Sequence, residues 1–134
     1  MSNKKIGNDF EQAFCEELAD HGFWVHNFTQ NKDGQPADVI AVRKGKAYLI
    51  DCKVCSDGEP FALSRIEENQ ELAMTLWESC GNGSGWFAIY FADNGHTYMV
   101  RLLNLLLLRS KRSTVDERMI ALLSSTLEWW VTWN

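Results

Sequence analysis

Apolar positions along the chain follow two periods, and the switches between them mark out the elements. From Gly7 to His21, Phe10, Phe14 and Leu18 stand four apart with Ala13 beside them, which predicts an amphipathic helix. Asn8 or Asp9 can cap its start, and Gly22 ends it. Phe23-Trp24-Val25-His26-Asn27-Phe28 is aromatic and β-branched, a first strand. Thr29 to Gln35 is a polar loop, after which Pro36 excludes helix and sets the approach to Asp38. Asp38 to Val42 and Ala47 to Val54 predict a hairpin around the basic turn Arg43-Lys44-Gly45-Lys46.

Ser56 to Leu63, with Gly58 and Pro60, predicts a loop. Ser64 and Glu67 have capping-box spacing and predict a second helix that buries Ile66, Ala73, Leu76 and Trp77 and ends near Cys80-Gly81. Past the Gly-rich connector of 81–85, Trp86 to Phe91 and Thr97 to Leu102 predict strands around the turn Asp93-Asn94-Gly95-His96. Leu103 to Leu108 reads as a short buried helix, and Thr114 with Glu117 opens a last helix through Leu123. The tail from Leu127 to Trp133 carries three of the six tryptophans. It either closes the core as an edge strand or presents an aromatic surface to a partner; closure is favoured, because so apolar an end gains by burial. The order α-β-β-β-α-β-β-α predicts an α/β fold, a mixed β-sheet flanked by helices.

At 134 residues the chain can fill one core rather than two. A single domain over 1–134 is expected, with a core of about 7–102 and a C-terminal helix and Trp-rich tail over 103–134. The 46% hydrophobic and 23% charged content is that of a folded globular protein. No apolar run reaches the roughly 18 residues of a membrane span, and the basic start lacks a secretory apolar stretch. The expected compartment is therefore the cytoplasm, that of the host if a phage encodes the chain. Net charge is −5, which argues against a nonspecific nucleic-acid binder. Basic residues nevertheless cluster at Lys4-Lys5, at Arg43, Lys44 and Lys46, and at Arg109, Lys111 and Arg112. Cys52 and Cys55 make a lone CxxC with no second pair, which reads as reduced thiols rather than zinc.

Strand alternation puts Tyr48, Ile50 and Cys52 on one face and Leu49, Asp51 and Lys53 on the other. A carboxylate and an ammonium among apolar neighbours are costly to bury, and Asp38 opens the partner strand at the same end. Glu11 lies on the margin of the first helix's apolar stripe, and Gln70 on the apolar side of the second. Each has a plain reading. Asp51 and Lys53 can form a same-face ion pair of roughly 0–1 kcal/mol, Glu11 can reach outward to water, and Gln70 can be a satisfied core amide. Taken together, Asp38, Asp51 and Glu11 are hard oxygen donors suited to Mg²⁺ or Mn²⁺ rather than zinc. Such an ion polarises a scissile phosphate and activates a bound water, which Lys53 could orient or deprotonate.

The combination resembles the PD-(D/E)xK nuclease superfamily. Pro36-Ala37-Asp38 looks like its P-x-D element and Asp51-Cys52-Lys53 its (D/E)-x-K element, with Glu11 and Gln70 where helix residues of the family are expected. The start Gly7-Asn8-Asp9-Phe10-Glu11, and Phe61-x-Leu63 leading into Ile66 and Gln70, look most like RecU-type and archaeal Holliday-junction resolvases. The resemblance covers about residues 7 to 91, and no inserted stalk of the RecU type is found. It implies a restriction-endonuclease-like core and Mg²⁺- or Mn²⁺-dependent hydrolysis of DNA phosphodiesters. By the same resemblance Asp38 and Asp51 are metal ligands, Glu11 a further ligand directly or through water, and the Cys52 main-chain carbonyl another. Lys53 would act on the nucleophile, and Gln70 would position Lys53 or touch the DNA backbone. Arg43, Lys44, Lys46 and Arg65 are candidate DNA contacts, and a homodimer acting on a four-way junction is implied. Two other readings stay open: a restriction- or repair-type nuclease on duplex DNA, and a catalytically silent nuclease-fold binding module.

Overall fold

In the computed structural model, which describes residues 3–28 and 35–134, the period-four stripe forms α1 over Asn3–Asp20. Phe10, Phe14 and Leu18 are its buried positions, as the spacing requires. The strands that follow are β1 (Trp24–Asn27), β2 (Val39–Arg43) and β3 (Lys46–Cys55). The loop expected at Thr29–Gln35 falls, but for Gln35, outside the described residues. Lys44 and Gly45 both take positive φ, 56° and 76°, the combination of the tight turn whose twist matches a β-hairpin.

Next come β4 (Phe61–Ala62), a 3-10 turn at Leu63–Arg65, α2 (Glu68–Ser79), β5 (Trp86–Phe91) and β6 (His96–Arg101). The chain closes with α3 (Leu102–Arg109), β7 (Thr114–Val115), α4 (Glu117–Leu122), β8 (Ser125–Thr126) and α5 (Leu127–Trp133). Six strands form one mixed sheet in the order β1-β2-β3-β5-β6-β8, and β4 pairs with β7 apart from it. All pairs in the large sheet are antiparallel except β3–β5, where α2 lies in the crossover.

The alternation read from β3 sorts the core into two layers. Tyr48 and Ile50, with Ala88 and Met99, face α1 and α5; Leu49, Phe87, Ile89 and Val100 face α2, α3 and α4. Each large side chain so buried contributes roughly 2–3 kcal/mol. At the connector, a Cβ on Gly85 would meet Met74 Cγ at 2.3 Å, so only glycine lets β5 begin this close to α2.

Several expectations are corrected, first the start of α1: it begins at Asn3, so Asn8 and Asp9 lie within the helix rather than capping it. The second helix is capped by Glu67, not Ser64: Ser64 lies in the 3-10 turn that buries Leu63. With that start, the inward face carries Gln70 and Met74, while Leu76 is 64% exposed. Thr114 is in β7; Asp116 caps α4, its Oδ1 accepting from Met119 N–H at 2.9 Å. Its neighbour Glu117 instead accepts from Tyr98 Oη at 2.8 Å and Asn94 Nδ2 at 2.6 Å. The Leu-rich helix is buried on one side only, at Leu102 and Leu105, with Leu103 and Leu107 exposed. The tail closes the core as expected, but as a helix: Leu127, Trp130 and Val131 are buried and Trp129 and Trp133 are not. That spacing of three and four residues is helical, and it overrides the β preference of the aromatic run.

Candidate active site

The site follows from unequal strand lengths. The β2–β3 ladder ends where Val39 pairs with Ile50 and Asp38 N–H donates to the Ile50 carbonyl at 3.2 Å. From Asp51 onward, no strand of the described residues pairs with β3 on that side, and side chains stand there instead. Asp38 Oδ2 accepts from the Cys52 N–H at 2.8 Å, and Arg65 Nη1 donates to the Val54 carbonyl at 2.8 Å. Because the N–H and C=O of one strand residue point the same way, the Cys52 carbonyl turns toward this open side too. A cleft of about 780 Å³ lies along the notch, between α1 and α2.

All five predicted site residues line that cleft: Glu11, Asp38, Asp51, Lys53 and Gln70. Asp51 is 1% exposed and Gln70 6%. Gln70 ties the acid to the base. Its Nε2 donates to Asp51 Oδ1 at 3.0 Å, and its Oε1 accepts from Lys53 Nζ at 3.4 Å and from the Glu67 N–H at 3.2 Å. The helix-capping bond therefore also orients the amide. Lys53 Nζ stands 3.0 Å from Asp51 Oδ2, a buried atom with no hydrogen bond to complement that ion pair.

Burial, then repulsion from Asp38, raises the Glu11 carboxyl from 4.5 to about 7. Burial raises Asp51 from 3.8 to about 8, against the pull of the Lys53 ammonium. Asp38 lies close enough to both for its charge to push each of them up. Among the described residues no group of three His, Cys, Asp or Glu is arranged as a metal cage. The donor set nonetheless fits a hard divalent cation. Its oxygens carry more negative charge than so buried a site tolerates, with the Lys53 ammonium the cation paired with Asp51, and a divalent ion would offset that charge. The Cys52 thiol is held well above the usual thiol range by burial and these carboxylates, so its sulfur stays protonated.

A stability prediction follows. Carboxyls raised on folding stabilise the fold below their unfolded pKa values and lose that contribution as pH rises through the folded ones. Metal-free protein should therefore melt at progressively lower temperature between about pH 4 and pH 8, the window set by Asp51 and Glu11. Millimolar Mg²⁺ should raise the melting temperature more at about pH 8 than at about pH 5. Scanning calorimetry in EDTA and in Mg²⁺ checks both trends; a Mg²⁺ shift independent of pH would contradict them.

The candidate DNA contacts separate. Arg65 lines the cleft. Lys44 and Lys46 sit at the opposite end of the hairpin from Asp51. Arg43 is engaged in holding the fold: its guanidinium lies 4.2 Å from the Phe23 ring centroid and donates to the carbonyls of His21, at 2.9 Å, and Val131. Arg43→Ala should lower the unfolding free energy by about 1–3 kcal/mol in urea melts and leave DNA affinity within about twofold. Lys4 also lines the cleft, with Gly7, Asn8 and Glu11. Its signal was in the sequence, since positions 4, 7, 8 and 11 share one helix face.

A hairpin whose longer strand carries acid-x-lysine, with helices on both faces each adding a polar group, is the core of the restriction-endonuclease-like PD-(D/E)xK nucleases. The family model that matches this chain, over residues 2–128, is described as archaeal Holliday junction resolvase (Hjc). The chain belongs to that family, and it is accordingly a metal-dependent endodeoxyribonuclease that acts on branched DNA. Among solved structures it is similar to Archaeoglobus fulgidus Hjc, a Holliday junction resolvase from an archaeal hyperthermophile. The TM-score is 0.68 at 18% identity, with 94% of this chain and 95% of that one covered, a likeness of fold. No curated protein sequence matches. No helix of the described residues is long and apolar enough to cross a membrane.

Proposed function

We propose that this chain resolves four-way DNA junctions with Mg²⁺, or Mn²⁺ in its place, held by Asp38 and Asp51. Glu11 joins them directly or through water, and the Cys52 carbonyl adds a neutral oxygen. A divalent cation there polarises the scissile phosphate and makes a bound water more acidic. Lys53 orients the attacking water and steadies charge growing on the phosphate oxygens. Gln70 holds Lys53 in register with Asp51, while Arg65 and Lys4 meet the flanking DNA backbone. Two nicks across a junction require two such clefts, so the working form is a homodimer acting in the cytoplasm.

One observation carries this reading: the buried Gln70 amide bridges Asp51 and Lys53, donating to one and accepting from the other. An ordinary ion pair at a sheet edge has no need of a third group holding both partners.

The test is cleavage of a labelled four-way junction beside matched linear duplex, with Mg²⁺, Mn²⁺ or EDTA. Paired symmetric nicks on the junction alone, lost in EDTA, are expected, with a dimer mass by light scattering. Equal cutting of both substrates would replace junction specificity with a duplex nuclease.

A further inference from the structure

A second polar-aromatic surface lies at the other end of β3 from the cleft. At about 3.3 Å per residue, Lys46 is roughly 23 Å along the strand from Lys53. Two adjoining hollows of about 450 Å³ and 510 Å³ share Trp86 and Arg101. Trp129 and Trp133, 56% and 68% exposed, wall the first, their ring centroids 5.9 Å apart; Lys46 lines the second. Arg101 spreads its guanidinium 5.2 Å from the Trp86 ring centroid. Trp130 also lines the trough, with a fully buried ring whose Nε1–H has no partner.

We propose that this trough binds unpaired nucleotides of a DNA strand, the bases stacking on Trp129 and Trp133 and the phosphates meeting Arg101 and Lys46. Exposed aromatic faces beside cations are the general means of holding single-stranded nucleic acid, because every base offers a π-face. Charge selects the occupant. The chain has 18 acidic residues against 13 basic, yet among the described residues no Asp or Glu side chain lines either hollow, although Asn134, the last residue, lines both. A DNA strand's phosphates complement Arg101 and Lys46. The choice of ligand rests on the nuclease reading, but the site is separate from the cleft. It would let the enzyme engage junctions that carry a gap, flap or opened base pairs.

The experiment measures anisotropy of fluorescein-labelled oligo(dT) with the full chain in EDTA. Wild type should bind. Trp129→Ala with Trp133→Ala should weaken binding by about tenfold or more, and the paired Trp→Phe variant should retain most of it. Both residues are exposed, so the variants should keep the wild-type circular dichroism and still cut a fully paired junction with Mg²⁺. Unchanged oligo(dT) affinity in the Ala variant would overturn the proposal. So would a loss of binding that accompanies a fall in mass by light scattering, which would assign the face to a second copy. Wild type that binds oligo(dT) but cuts nothing would leave this site standing and remove the nuclease reading instead.

Discussion

Asp51→Asn should cut a four-way junction at least about 1000-fold more slowly than wild type while melting at the same or a higher temperature in EDTA at about pH 8. The two effects come from one carboxylate. Asp51 is buried so deeply that its carboxyl is raised to about 8, so ionising it at working pH without a cation opposes folding. Asparagine keeps the shape and an oxygen to accept from Gln70 Nε2, and it removes the charge that burial disfavours. Catalysis loses that same charge. A ligated cation is worth several kcal/mol of transition-state stabilisation, at about 1.4 kcal/mol per tenfold in rate. Parallel thermal melts and single-turnover cleavage read both. A variant that was both destabilised and inactive would point to a structural role for Asp51.

Lys53→Met should lower single-turnover cleavage about 100- to 1000-fold, with a much smaller change in the metal concentration that gives half-maximal rate. Methionine matches the reach of the lysine stem and fills its place in a side chain that is 10% exposed. Two consequences follow from the geometry. Asp51 loses the ammonium that pulls its pKa down, so the variant's residual activity should rise toward higher pH than the wild type's. Gln70 loses one of its partners but keeps Asp51 and the Glu67 N–H, so α2 should stay capped. A Lys53→Met enzyme that recovers wild-type rates at saturating Mg²⁺ would reduce the lysine to a structural counter-ion.

The hairpin was legible because its signals are local. Period-two alternation placed Asp51 and Lys53 on one face, and a two-residue turn fixed the register that pairs Val39 with Ile50 and so sets Asp38 beside Asp51 and Cys52. Glu11 and Gln70 were legible through helical periodicity, which sets which side faces the sheet even when the helix boundary is misread. The misreadings occurred where a local preference competed with packing at a distance. Ser64 has the better capping hydroxyl, but burying Leu63 and Ile66 on either side of it delays α2 to Glu68. Glu117 matches a capping box, yet Tyr98 and Asn94, distant in sequence, take its carboxylate. The aromatic tail favours a strand by composition, but Trp130 fits against Phe23, Tyr48 and Trp86 from a helix. Arg43 looked like part of a basic turn because no sequence rule brings Val131 beside it.

Glu11 comes from a helix on one face of the sheet and Gln70 from a helix on the other, with the paired β2–β3 ends between them. The contacts joining Asp38 to Cys52, Lys53 to Gln70 and Asp51 to Gln70 span 14, 17 and 19 residues of chain. No hairpin or single helix can assemble all three alone, so a chain with only one layer docked lacks the complete set of residues proposed to act in catalysis. Activity should therefore return during refolding with the slowest packing step rather than with early secondary structure. A nuclease built this way cannot cut DNA while it is still being made: the fold is its own safety catch.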